Sequence, residues 1–235
     1  MSELPIYLGI NVGKEEVKPT VIIILSTLLL TIDRYSGSMT FVPESFAGGS
    51  NFAGIFRMFA MAFALFALVP LSVVVFGFRE SPKKYGLALG NWKRGVILTA
   101  LLFPAIAVAL LYPASQNAEM RAFYPLDKAA LTSGVAFVRL ELIRGILFYT
   151  AWEFLFRGFI LFGLRPYVGD WLAICIQTIP SCLWHIGLPT GEIVSSIAGG
   201  LLFGILAVRT NSILWPYLLH CLIGIGLDFF ITITP

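Results

Sequence analysis

The chain has 235 residues, of which 58% are hydrophobic and only 12% charged, with a formal net charge of +3 and a mean hydropathy of +0.88. Soluble domains carry roughly 25% charged and about 45–50% apolar residues, so this composition describes an integral membrane protein. The positive charge is small and scattered, with no basic stripe interleaved with aromatics, which argues against a nucleic-acid partner and for the lipid bilayer as the main one.

In chain order, the N-terminal "MSELPIYLGINVGKEEVKPT" lacks the basic region, short apolar run and small-residue cleavage site of a signal peptide, and residues 1–16 are read as a lead-in to the membrane. A hydrocarbon core needs about 20 apolar residues per helix. Apolar runs of that kind are expected over 17–35, 52–78, 95–113, 134–163, 170–188, 192–209 and 211–232. The fold expected is therefore an all-α polytopic transmembrane bundle of about seven spans, one domain over 17–235. Pro70 and Pro104 fall inside spans, where neighbouring helices can re-satisfy a broken backbone ladder. Between the second and third spans, "RESPKKYGLALGNWKRG" carries Arg79, Lys83, Lys84, Lys93 and Arg94, and its middle is expected to lie at the interface with Tyr85 and Trp92 near the headgroups. If the spans alternate, Lys14, Lys18, Arg165 and Arg209 join this side, while Arg34, Arg121 and Lys128 face the other. The bias places the N-terminus in the cytoplasm of a multi-pass cell-membrane protein, with the bacterial inner membrane as the expected location.

The later spans hold the unusual residues. Glu153 and Arg157 sit in "YTAWEFLFRGFILFGLRP", four residues apart and so on one helix face. Glu141, Arg139 and Arg144, nearer the start of that span, are expected to form a solvated or interfacial face. "GLLFG", Gly200 to Gly204, offers small residues for close helix approach. Cys175, Cys182 and Cys221 match neither a zinc motif nor a disulfide framework and are expected to be free thiols packed as small apolar groups.

The chain's two histidines both lie in apolar runs, His185 in "IPSCLWHIGLP" and His220 in "LWPYLLHCLIGIGLDFF", and Asp228 follows two turns after His220. Ionisable groups at membrane depth cost about 2.5–3.5 kcal/mol each on insertion scales, so they tend to face the bundle interior and to act there. Each alone has a bland reading: Glu153 with Arg157 as an interhelical clamp, a histidine as a helix-to-helix hydrogen bond, Asp228 as an exposed helix end. Together they suggest a site in which a carboxylate and a neutral imidazole deprotonate a water. A second imidazole would then donate to the oxyanion that forms. Amide hydrolysis is the reaction these parts fit.

"EFLFRGFILFGL" resembles the E-E-x-x-x-R segment of the CAAX-protease and bacteriocin-processing family of intramembrane endopeptidases. "PSCLWHIGLP" resembles its second motif, F-x-x-x-H, and "AGGLLFGILAVRTNSILWPYLLHCLIG" its third region, so that the likeness covers about 80–230. The resemblance implies a helical bundle acting on a peptide or protein substrate at the membrane. It assigns water activation to Glu153 and His185, the oxyanion to His220, and the orientation of Glu153 to Arg157. The mechanism implied is metal-free and needs no cofactor; a zinc version would use Glu153, His185, His220 and Asp228.

The chain also departs from the family. Its paired glutamates align with Trp152 and Glu153, its second-motif phenylalanine with Ser181, and its third-motif asparagine with Gly224. Asp228, one turn beyond Gly224, is the polar substitute on that face. These changes leave a non-catalytic membrane binder or chaperone on the same scaffold as the alternative function.

Overall fold

The computed structural model describes residues 13–38 and 52–234, so that residues 1–12 of the expected lead-in lie outside the described residues. It is 86% helical, with no strand among the described residues. Helix α1 is Lys14–Ile32. It is followed by α2 (Phe52–Gly77), α3 (Trp92–Ser115), a short α4 (Ala118–Phe123), α5 (Gly134–Val168), α6 (Asp170–Trp184), α7 (Thr190–Thr210) and α8 (Leu214–Ile233). The all-α polytopic bundle is what the apolar runs led one to expect.

Five of these helices, α2, α3, α5, α7 and α8, are long and apolar enough to cross a membrane. The other two expected spans correspond to α1 and α6. Lys14, Glu15, Glu16 and Lys18 crowd the start of α1, and α6 has only 15 residues, short of the ~20 a crossing needs. Pro70 and Pro104 are accommodated without a break: α2 widens into i→i+5 turns at Ala64–Leu68 before Pro70, and α3 does so at Ala107–Leu111 after Pro104.

The position of α5 organises the rest. In its most apolar stretch 78% of the residues are buried, against 17–33% in the other four spans, so α5 is the axle of the bundle and the others turn large faces to lipid. A side chain on the middle of α5 therefore meets protein, whatever its polarity. Leu155, Phe156, Phe159 and Leu161 are wholly enclosed, packed against Ile22 of α1 and Phe66 of α2.

Helices α6 and α7 meet through the small-residue stripe. A Cβ on Gly200 would lie 2.7 Å from Thr178 Cγ2, and one on Gly204 would lie 2.9 Å from Ile174 Cγ2. With hydrogens there instead, the backbones come close enough for Gln177 Nε2 to donate to the Gly200 carbonyl at 2.8 Å. This contact sets where the end of α6, and with it His185, sits relative to the start of α7.

At the other end of the bundle the 78–91 connection is clamped to α1. Lys18 Nζ donates to Glu80 at 2.6 Å and the Tyr85 hydroxyl donates to the same oxygen at 2.7 Å. Burial pushes the Glu80 carboxyl up, but the hydrogen bonds from Lys18 and Tyr85 outweigh it and hold it at about 2. Tyr85 is thus buried against this clamp and Phe159, whereas Trp92, expected beside it near the headgroups, is exposed. A phenol with an acceptor within reach is readily held in such an enclosed place.

Candidate active site

Glu153 is completely buried in mid-α5. Its Oε1 accepts from His220 Nδ1 at 2.7 Å and from Arg157 Nη1 at 3.2 Å, which ties α5 to α8. Arg157 is 1% exposed and lies on the same α5 face, so it serves as the fixed counter-charge the sequence spacing suggested. Because Nδ1 of His220 is engaged by the carboxylate, Nε2 is the ring nitrogen left for other partners. The ring is held flat against Tyr149, centroids 4.2 Å apart and planes 29° apart.

His185 lies just past the last turn of α6. Its Nδ1 is 2.7 Å from the Ser181 carbonyl, which can only accept, so Nδ1 carries the proton and Nε2 presents a lone pair. Facing that lone pair is a carboxylate the sequence reading did not single out. Glu192 Oε1, in the first turn of α7, is 3.8 Å from His185 Nε2. Its Oε2 accepts from the Tyr124 hydroxyl at 2.8 Å. Burial first, and then the Glu192 charge, push the Tyr124 phenol well above its usual range, so that it remains an O–H donor.

Both imidazoles and Glu192 line one cavity of about 90 Å³, together with Tyr124, Tyr149 and Trp152. Trp152 fills the position of the family's first glutamate. Its indole stands edge-on to both rings, 5.4 Å from His185 and 6.5 Å from His220. Position 152 is therefore the one that faces the cavity, whereas Glu153 points back toward Arg157 and borders a second, larger cavity of about 400 Å³ with Thr150 and Tyr217.

The remaining sequence candidates lie elsewhere. Asp228 is completely buried and bound to Arg144 Nη2 at 2.9 Å, and Glu141 receives the same nitrogen at 2.6 Å. Glu141 and Arg144 are 7% and 3% exposed, so the solvated face expected for them is instead an interior cluster. The reason is that Asp228 comes from a helix that no local pattern links to theirs. Arg139 does reach the surface, pairing with Asp127 at 3.1 Å.

Among the described residues no group of three or more His, Cys, Asp and Glu is placed to hold a metal ion, and the set Glu153, His185, His220 and Asp228 is divided between the two clusters. Cys175, Cys182 and Cys221 are free thiols, as expected.

Glu192 escaped the sequence reading because an acidic residue in a helix's first turn is the commonest form of dipole complementation. Tyr124 lies in a connection and carries no periodic signal. The clue available for Glu192 was its nearness in sequence to a motif, seven residues after His185.

Residues 137–225 match the family model described as type II CAAX prenyl endopeptidase Rce1-like. Comparison with curated proteins and with solved structures finds no match. The matched segment contains Glu153, Arg157, His185, Glu192 and His220, and it supports a CAAX-type intramembrane protease kind of function. The protein is thus a helical membrane protein whose segment 137–225 matches the Rce1-like model of type II CAAX prenyl endopeptidases, in keeping with the resemblance of its three motifs.

Proposed function

We propose that the protein is an intramembrane endopeptidase in which a water held between Glu192 and His185 attacks a peptide carbonyl. The observation that carries this reading is the enclosure of two imidazoles and a carboxylate in one cavity within a helical bundle. The 3.8 Å gap between His185 Nε2 and Glu192 Oε1 is suited to two groups sharing a water on their lone pairs. As the water oxygen bonds to the carbonyl carbon, its proton passes to Glu192, and the carbonyl becomes a tetrahedral oxyanion. His220, doubly protonated beside the Glu153 carboxylate, donates to that oxygen from Nε2, and Arg157 holds Glu153 in turn. Glu192 then gives its proton to the amide nitrogen as the C–N bond breaks, leaving a carboxylic acid and an amine. Trp152 and the aromatic wall keep bulk water out.

This arrangement moves the carboxylate role from position 152 to a neighbouring helix, which answers the family's missing glutamate. The alternative, a non-catalytic binder, has that missing glutamate in its favour. The two are separated by incubating the purified, detergent-solubilised chain with a quenched fluorescent peptide whose third residue beyond a prenylated cysteine is the C-terminus. Cleavage is expected, and it should persist in the presence of chelators because no step above uses a metal. Loss of cleavage on chelation, restored by stoichiometric zinc, would replace the mechanism with a metal-dependent one. No cleavage of this peptide or of an unprenylated membrane-anchored one would favour the binder.

Lys18 of α1 bonds Glu80, so the start of α1 and the 78–91 connection lie at one end of the bundle, the end that the lysine and arginine bias assigns to the cytoplasm. In that orientation the segment holding Tyr124 and the turn after His185, which border the cavity, lie toward the opposite face. Reporter fusions after Val168 and Thr210 should read cytoplasmic, and one within the 116–133 connection should not; the reverse pattern would invert the protein.

A further inference from the structure

We propose that the Tyr149 hydroxyl is the second hydrogen-bond donor to the oxyanion, occupying the space that the side chain of residue 224 would otherwise fill. The inference rests on the hydrolytic reading above and adds a catalytic residue to it. Gly224 lies one turn beyond His220 on α8, so a side chain there would project beside the His220 ring. In this chain it has none, and the place is taken from the opposing helix. A Cβ built on Gly224 would clash with the Tyr149 hydroxyl oxygen and would lie 2.9 Å from Cζ and 3.1 Å from Cε2 of the same ring. The glycine and the tyrosine are therefore one arrangement: the phenol reaches this point only because residue 224 has no side chain.

The chemistry of the replacement is apt. A tetrahedral oxyanion needs neutral or cationic donors aimed at it in a water-poor site, and a phenol O–H is neutral and remains a donor throughout the reaction. Asp228, the substitute suggested by sequence, is an acid committed to Arg144. Tyr149 instead borders the cavity, and its ring lies flat on His220, so its hydroxyl and the His220 ring belong to the same wall. Its hydroxyl has no hydrogen-bond partner among the described residues. The proton is uncommitted.

A purely structural Tyr149 would act through its ring, by stacking on His220 and by its contact with the Arg144 guanidinium. Tyr149→Phe keeps the ring and removes only the hydroxyl. With the fluorescent peptide above, the variant is expected to lose about 10²–10³-fold in kcat, the range for deleting one oxyanion donor, with KM within about twofold of wild type and an unchanged melting temperature in detergent. A phosphonate peptide mimicking the tetrahedral state should lose affinity in parallel with kcat. Tyr149→Phe with kcat within twofold of a cleaving wild type overturns the inference and leaves the hydrolytic reading standing. So does a loss that tracks a fall in KM-level binding or in folded protein. A wild type that cleaves nothing brings down the hydrolytic reading, and this inference with it.

Discussion

Glu192→Gln is expected to lower kcat by about 10²–10⁴-fold, the span associated with removing a general base, while leaving KM and the melting temperature near those of the wild type. Glutamine preserves the size of the side chain and retains a carbonyl oxygen to accept from Tyr124, so the cavity wall keeps its hydrogen bond. What is lost is the lone pair basic enough to take a proton from water and carry it to the leaving amine. His185→Ala should lose activity by a similar factor, and the double variant should lose little more than either, because two groups that hold one water act as a unit. Steady-state kinetics on the four proteins decide this. If Glu192→Gln retains cleavage while Glu153→Gln abolishes it, the water belongs on Glu153, as the family resemblance alone implies, and the carboxylate beside His185 is structural.

Removing Glu153 altogether is expected to act first on the fold. Glu153→Ala leaves the Arg157 guanidinium, 1% exposed, without its counter-charge and frees the His220 ring from its anchor. Breaking one partner out of a buried pair costs about 3–5 kcal/mol, chiefly because the remaining charge is stranded away from water. The variant should therefore accumulate poorly in membranes and melt well below the wild type. A paired replacement, Glu153→Leu with Arg157→Met, removes both charges together and should recover most of that stability, as buried pairs exchanged for apolar residues often do. It should not recover activity, since His220 has lost the acceptor on Nδ1 that sets its ring. Thermal unfolding in detergent, measured beside cleavage, separates the two roles. Activity restored by the paired replacement would show that Glu153 merely balances Arg157.

These two carboxylates also show how unevenly the site could be read in advance. Glu153 and Arg157 stand out because an acid and a base one turn apart in an apolar helix are costly, and a cost invites a reason. His185 and His220 stand out because both of the chain's imidazoles fall in apolar runs. Glu192, Tyr124 and Tyr149 carry no such mark. An acidic first turn, a connection tyrosine and an aromatic in a membrane helix are each ordinary, and their chemistry comes only from what faces them. Asp228 is the converse case: conspicuous by sequence, and drawn by folding into a cluster with Arg144 and Glu141.

Hydropathy and charge, taken along the chain, were enough to determine a helical membrane bundle, because each helix satisfies its own backbone and must be apolar over a set length whatever its neighbours are; they gave about seven spans, of which α1 and α6 are not among the five helices long and apolar enough to cross. The motifs likewise carried the resemblance that the match over 137–225 supports and the pairing of Glu153 with Arg157, both of which are local in sequence. Only the tertiary structure decided that position 152 faces the cavity and position 153 does not, that Glu192 stands beside His185, and that Tyr149 fills the place vacated at Gly224. These are meetings between different helices. Their geometry depends on how close small residues let α6 approach α7 and on which way α5 is turned inside the bundle, and neither quantity is written in any single segment.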